Sequence, residues 1–313
     1  MFAETETITN RAPTYSWAET LAAAQKVNWR IEDIIGGNRR LDFTRPFMPE
    51  SLAQVEKLGF PAVSEQRTLN QIRGYAYLSI FGLVEEFILP FVLDHTRPQL
   101  QGDDDRVRAL LQFASEEAKH IQLFKRFRAE FERGFGATCQ VIGPPEAVAA
   151  QVLSHHPLAV ALTILHIEWM TQRHYTDSVQ NQTQLDPQFK SLLKHHWMEE
   201  AQHARLDTLM VEALAANCSE DEITRAVDEY LAIGGLLDAG LKQQTEFDLD
   251  SLERATGRAL SATEREQFLT LQHQANRWTY LGSGMTHPKF LATLEKIQPA
   301  ARTRLEQIAP AFC

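Results

Sequence analysis

Cysteine is scarce in this chain of 313 residues: Cys139, Cys218 and Cys313 are far apart and odd in number. That spacing argues against a disulfide framework and fits a reducing cytoplasm. Positive charge is also in short supply. Against 41 Asp and Glu stand 31 Lys and Arg, a net charge of −10, with no basic stripe or aromatic stacking motif, so nucleic acid is not an expected partner. No apolar run is long enough to cross a bilayer, which takes about 20 residues. The nearest, SIFGLVEEFILPFVL (79–93), is interrupted by Glu85 and Glu86, so no membrane partner is expected either. The first residues, MFAETETITNRAP, lack the charged-then-apolar pattern of a secretory leader. Alternating strand patterns and low-complexity segments are missing too. These absences predict a cytoplasmic, all-helical protein.

The apolar residues recur at helical spacing nearly throughout. Four long helices are expected in the centre. The first runs from about Thr68 to Asp94. The second opens at Asp103-Asp104-Asp105, acids that suit a helix N-terminus, and ends near Gly134 or Gly136. The third starts near Pro157, a favourable first helical residue, and reaches about Asn181. The fourth starts at Asp186-Pro187, a cap followed by proline, and ends near Asn217. The first and last connections are short, giving two antiparallel hairpins. The middle one, roughly 135–156, is long and contains Gly143, Pro144 and Pro145. Two helical hairpins joined by a long crossover make a ferritin-like four-helix bundle. Ser219…Glu222 and Ser261…Glu264 read as capping boxes of additional C-terminal helices. The expected organisation is one domain over 1–313, with the bundle at about 68–217 and peripheral segments at 1–67 and 218–313.

The chemistry lies in the bundle. The segment HHWMEEAQHARLD (195–207) crowds histidines and glutamates among apolar neighbours. Successive residues on a helix advance about 100°, so His196, Glu200 and His203 spread over only about 60°. The second helix carries the related SEEAKHIQLF (115–124). A single Glu-x-x-His arises easily by chance. Two copies, Glu117/His120 and Glu200/His203, on the second helix of each hairpin do not. The other two helices each place a glutamate in an apolar run: Glu85 or Glu86 in one, Glu168 in the other. Such an acid is costly unless paired or metal-bound, and matching lysines or arginines are missing from those runs. Glu85 to Glu117 and Glu168 to Glu200 are both 32 residues, which favours Glu85 and brings the acids and histidines to one layer. Carboxylates with a few imidazoles and no thiolate suit iron or manganese. Two ions sharing carboxylates suit O2 chemistry, since each Fe(II) can give an electron.

Glu85 or Glu86, Glu117-x-x-His120, Glu168 and Glu200-x-x-His203 resemble the ligand set of the ferritin-like di-iron carboxylate proteins. His196, in His-x-x-x-Glu-x-x-His, is similar to an additional histidine of the p-aminobenzoate N-oxygenase family. The resemblance covers roughly residues 70–210. It implies two Fe ions, with Mn as an alternative. Glu117 and Glu200 would bridge them; His120 and the first helix's glutamate would serve one, and Glu168, His203 and His196 the other. It further implies an O2-activating oxygenase that oxidises an amine or another small organic substrate. O2, that substrate and an external electron donor or reductase would be its partners; a homodimer is left open. Glu116 and Glu199 are expected to accept hydrogen bonds from ligand imidazoles across the bundle. A di-iron C–H hydroxylase or desaturase, or an iron-binding ferritin-like protein without enzymatic activity, are the competing functions.

Overall fold

The computed structural model describes residues 15–313. The expectation that the N-terminal segment wraps the bundle therefore applies from residue 15 onward; 1–14 lie outside the described residues. This segment holds α1 (Trp17–Ala24) and two single turns, α2 (Ile31–Ile34) and α3 (Glu50–Ala53). α1 and α2 lie on the outside of the bundle, against its second and fourth helices.

The four long helices are α4 (Val63–Thr96), α5 (Asp104–Phe135), α7 (Pro157–Arg173) and α8 (Pro187–Ala215), with α6 (Pro145–Leu153) inside the crossover. Their ends follow from the capping chemistry. The Asp103 carboxylate accepts from the backbone N–H groups of Asp105 and Arg106, and Asp186 accepts from that of Phe189. Gly136 closes α5 in the left-handed conformation, φ 81°. Two differences from the expected boundaries stand out. α4 begins five residues earlier, where the backbone of Ala62 is held by Glu65. The third helix widens after Arg173 into a π-helical turn, His174–Val179, which periodicity alone does not distinguish from continued α-helix.

α4 packs along α5, and α7 along α8; α5 and α8 meet across the bundle. After α8 come α9 (Glu220–Thr256), α10 (Ala262–Arg277), the short α11 (Ser283–Met285), α12 (Pro288–Ile297) and α13 (Pro299–Ile308). Both expected capping boxes are present, with Ser219 paired to Glu222 and Ser261 to Glu264. Among the described residues no β-strand forms, and the architecture is an all-α, ferritin-like four-helix bundle with added helices. α9 covers the face left between α4 and α7. The buried Arg73 of α4 ties it there by facing Asp248 of α9 at 3.8 Å and hydrogen-bonding Asn276 of α10.

Against the expectation from the apolar runs, α4 is long and apolar enough, by composition, to cross a membrane, but 67% of its most apolar window is buried inside the protein. Protein partners explain its composition. Gly74 lets the N-terminal segment approach closely, since a Cβ there would lie 2.9 Å from the Phe47 Cβ. The buried Asn70 then satisfies that segment's backbone, accepting from Phe47 and Met48 and donating to the Met48 carbonyl.

Candidate metal centre

At mid-height of the bundle the four helices turn their acids inward. Glu117, His120 and His203 are wholly buried, and Glu85, Glu168, His196 and Glu200 are no more than 2% exposed. α5 and α8 run in opposite directions, so the two Glu-x-x-His pairs meet head to tail. His120 Nδ1 lies 3.0 Å from Glu200 Oε1, and His203 Nδ1 lies 2.8 Å from Glu117 Oε1. His203 Nδ1 is also 3.3 Å from Glu200 Oε2, which places Glu200 between the two imidazoles. Glu168 faces Glu200 from α7.

The outer ring nitrogens make a reciprocal pair of contacts. His120 Nε2 reaches Glu199 at 2.8 Å, and His203 Nε2 reaches Glu116 at 2.8 Å. A proton on each Nε2, donated to its carboxylate across the bundle, leaves the Nδ1 lone pair directed at the inner acids.

Glu85 belongs to this layer, whereas Glu86 is partly exposed and turned toward Lys125 Nζ at 3.9 Å. His196 is in the layer too, but not where the resemblance implied. Its Nε2 lies 2.8 Å from Glu200 and 3.2 Å from Glu85, and its ring centroid is 4.6 Å from that of His120. It therefore shares the Glu85–His120 end of the centre. The reason is geometric. His196 lies about 6 Å before Glu200 along α8 and His203 about 4.5 Å after it, so the two rings reach opposite ends. His195 turns outward, its Nδ1 on the Ser191 carbonyl and its ring edge-on to Trp29. His166 and His174 are buried away from the layer, bonded to the hydroxyls of Tyr230 and Tyr77.

The electrostatics of the layer are unbalanced. Glu85 Oε2, both oxygens of Glu117, His120 Nδ1, Glu168 Oε2 and Glu200 Oε1 are buried and make no well-directed hydrogen bond, although Glu117 Oε1 and Glu200 Oε1 lie within 3.0 Å of imidazole nitrogens. Buried polar atoms are nearly always satisfied, and here the orphans converge on one place. Lys119 is the ammonium paired with this group of acids, and it sits at the edge on Glu199. Two sets of four side chains bring ligand atoms within 4.8 Å of one another: Glu85, His120, His196, Glu200, and Glu117, His120, Glu200, His203. They share Glu200, whose two oxygens can serve two adjacent cations, and His120, whose one free ring nitrogen serves a single cation. Without such cations, protons compensate. Burial lowers His120, but its contacts with Glu199, Glu200 and Glu85 outweigh that and raise it well above the ordinary imidazole value. His203 is likewise lowered by burial and raised further by Glu200 and Glu116. Burial, then repulsion from Glu200, lifts Glu168 well above the carboxylate range. The donor set, its burial and its unpaired oxygens fit a pair of hard divalent ions.

Asp207, one turn beyond His203 on α8, is fully buried with both oxygens unpaired. Trp29, from the N-terminal segment, stacks parallel to His120 at 6.1 Å, with the Lys119 ammonium 3.9 Å over its ring. Nothing in its local sequence announces that.

No protein-family model matches the chain, and no curated protein does. Solved structures similar to it include an R2-like ligand-binding oxidase variant with an aerobically reconstituted Fe/Fe cofactor. It shares 15% identity over 85% of this chain and 93% of that one, with a TM-score of 0.46. Another variant, with an aerobically reconstituted Mn/Fe cofactor, shares 14% identity over 85% and 97%, with a TM-score of 0.47. What the centre can do follows from this chain's own side chains.

Proposed function

We propose that this protein is an O2-activating di-iron oxygenase acting on a small organic substrate. The observation that carries the reading is the convergence of buried, unpaired carboxylate oxygens and imidazole nitrogens on two overlapping four-ligand sets. Glu85, His120 and His196 would hold one ion, and Glu168 and His203 the other, with Glu117 and Glu200 between them. When bound, two Fe(II) ions supply one electron each to O2; Mn can occupy the same oxygen-rich donors. Glu199 and Glu116 hold the imidazole protons at Nε2 and so fix the ligand tautomers. Phe81, Phe113 and Phe124 close over the histidines and exclude water.

N-oxygenation is the finer reading, and His196 supports it as an additional neutral donor at one ion. An external reductase would restore Fe(II) after each turnover. The unpaired cysteines suit a reducing cytoplasm.

The test has two parts. Iron loading should approach two per chain by elemental analysis; a value near one, unchanged in Glu117→Ala, sinks the two-ion reading. The reduced, loaded protein should then consume O2 faster with an aryl amine than without. Nitroso or hydroxylamino products support N-oxygenation, whereas ring or alkyl hydroxylation would replace it with C–H oxidation.

A further inference from the structure

Beside the centre lies a cavity of about 310 Å³, between α4, α7, α9 and the crossover. Its volume is at the low end for small-molecule sites, roughly 300–1,000 Å³. Its inner wall is made by residues next to the candidate ligands. Val84 precedes Glu85, and Ile167 precedes Glu168. Phe81, one turn before Glu85, lines the cavity and also packs edge-on against His196, 5.5 Å between centroids. Phe81 is thus the partition between cavity and centre. At the other end, Gly143, Ala239 and Gln243 are exposed, so the mouth opens to solvent between the crossover and α9.

The lining contains no Lys, Arg, His, Asp or Glu. Its side-chain polarity is confined to Gln243 at the mouth and Tyr280. A carboxylate or ammonium entering this space would lose its hydration without gaining a counter-charge, a large cost for any ion. At roughly 30 Å³ for a water-sized atom, the space holds about ten non-hydrogen atoms. Resting on the oxygenase reading, we infer that this cavity is the substrate site and that it takes an uncharged, largely apolar molecule of about that size, such as a neutral arylamine. A carboxylated arylamine of the same shape is excluded by its charge.

A matched pair of probes tests this. 4-Isopropylaniline and 4-aminobenzoate have nearly the same outline, and both amines are unprotonated at pH 7; they differ in an isopropyl group against a carboxylate. Calorimetric titration of the full-length, metal-free protein should show the first binding at least tenfold more tightly. Gly240→Leu fills the cavity from α9. Its Cβ would meet only the Ile142 Cδ1 at 3.4 Å, an ordinary contact, and leucine favours the helix over glycine. Val148→Trp fills it from the crossover. Both should weaken 4-isopropylaniline at least tenfold. Gly235→Leu, on the same helix with open space around it, should not. Equal or tighter binding of 4-aminobenzoate, binding of neither probe, or filled variants that bind as well as wild type would overturn the inference. Failure of the di-iron reading is separate. Two irons loaded with no probe bound would leave that reading standing and remove this one; a probe bound to a protein that takes up no iron would do the reverse.

Discussion

Metal binding at this centre should be coupled to proton release, and the coupling has a minimum size. His120 and His203 are raised well above the ordinary imidazole value: burial, which lowers them, is outweighed by Glu199, Glu200 and Glu85 for the first, and by Glu200 and Glu116 for the second. Both therefore carry an extra proton at neutral pH in the metal-free protein, and a metal needs the neutral ring. Loading expels one proton from each. Glu168 and His196 are raised too, the first by burial and the second by Glu200 and Glu85 against burial, so the two imidazoles set a lower bound. The overall constant for filling the centre should then rise at least about hundredfold per pH unit between pH 6 and 7, roughly 2.7 kcal/mol at 1.36 kcal/mol per proton. The sign for folding runs the other way. With raised folded-state values, these groups stabilise the metal-free fold fully below the unfolded imidazole value near 6.5, and that contribution is lost as pH rises through the folded values. The gap in Tm between loaded and metal-free protein should accordingly widen as pH rises. Calorimetric titration with Mn(II), a redox-inert probe at this pH, in two buffers of different ionisation enthalpy counts the protons directly. An affinity that is flat from pH 6 to 7, with no protons released, would refute the protonated-imidazole picture.

Glu116→Gln and Glu199→Gln each weaken the carboxylate that holds a ligand imidazole; metal affinity should fall about 10–100-fold while the helical circular dichroism is kept. Acid should destabilise the loaded protein: burial holds His166 down to about 4 and both His174 and His287 to about 3. Because these folded values are depressed, their stability is present above about pH 6.5 and lost as pH falls toward them, at up to about 1.4 kcal/mol per pH unit for each, and Tm measured from pH 7 to 5 should fall steadily. Phe81→Ala removes the partition between cavity and centre; denaturant unfolding should show a loss of about 3–5 kcal/mol, and the variant should bind 4-isopropylaniline derivatives too bulky for wild type.

Most of the bundle was legible in the sequence because its signals are local. Asp103, Asp186-Pro187, Ser219…Glu222 and Ser261…Glu264 mark helix starts through side-chain to backbone bonds spanning three residues or fewer. The layer of acids was legible through spacing, since equal 32-residue separations put partners of each hairpin at similar heights. What could not be read depends on relations between distant segments. Which ion His196 approaches follows from its place about 6 Å before Glu200 along α8 together with the antiparallel packing of α5, which brings His120 to that same end. The stacking of Trp29 on His120 requires the path of a segment with no periodicity of its own. The cavity depends on α9 covering α4 and α7, and the capping box of α9 says where that helix begins, not where it packs.

The two hairpins repeat with an offset of 83 residues: Glu85 and Glu168, Glu117 and Glu200, His120 and His203, Glu116 and Glu199 are all equivalent pairs. The same offset shows where the repeat is broken. His196 corresponds to Phe113, which stacks on His203 at 4.0 Å; Asp207 corresponds to Phe124, which packs against His196 at 5.1 Å. One end of the centre thus gains an imidazole and the other a buried carboxylate, in exchange for phenyl rings. The centre is built unequal, and His196 is the test of whether that inequality serves the reaction. His196→Phe installs the residue its own counterpart carries, in a site already walled by Phe81 and Phe124. Six proposed ligands remain, so iron should stay near two per chain. One ion would lose a neutral donor, and amine-dependent O2 consumption should fall at least about tenfold, the lower end for residues supporting a metal. His195→Ala, outside the layer, should do far less. If both variants turn over at the wild-type rate with full iron, His196 is a packing residue, and the N-oxygenase reading loses the one residue that separates it from an ordinary di-iron carboxylate protein.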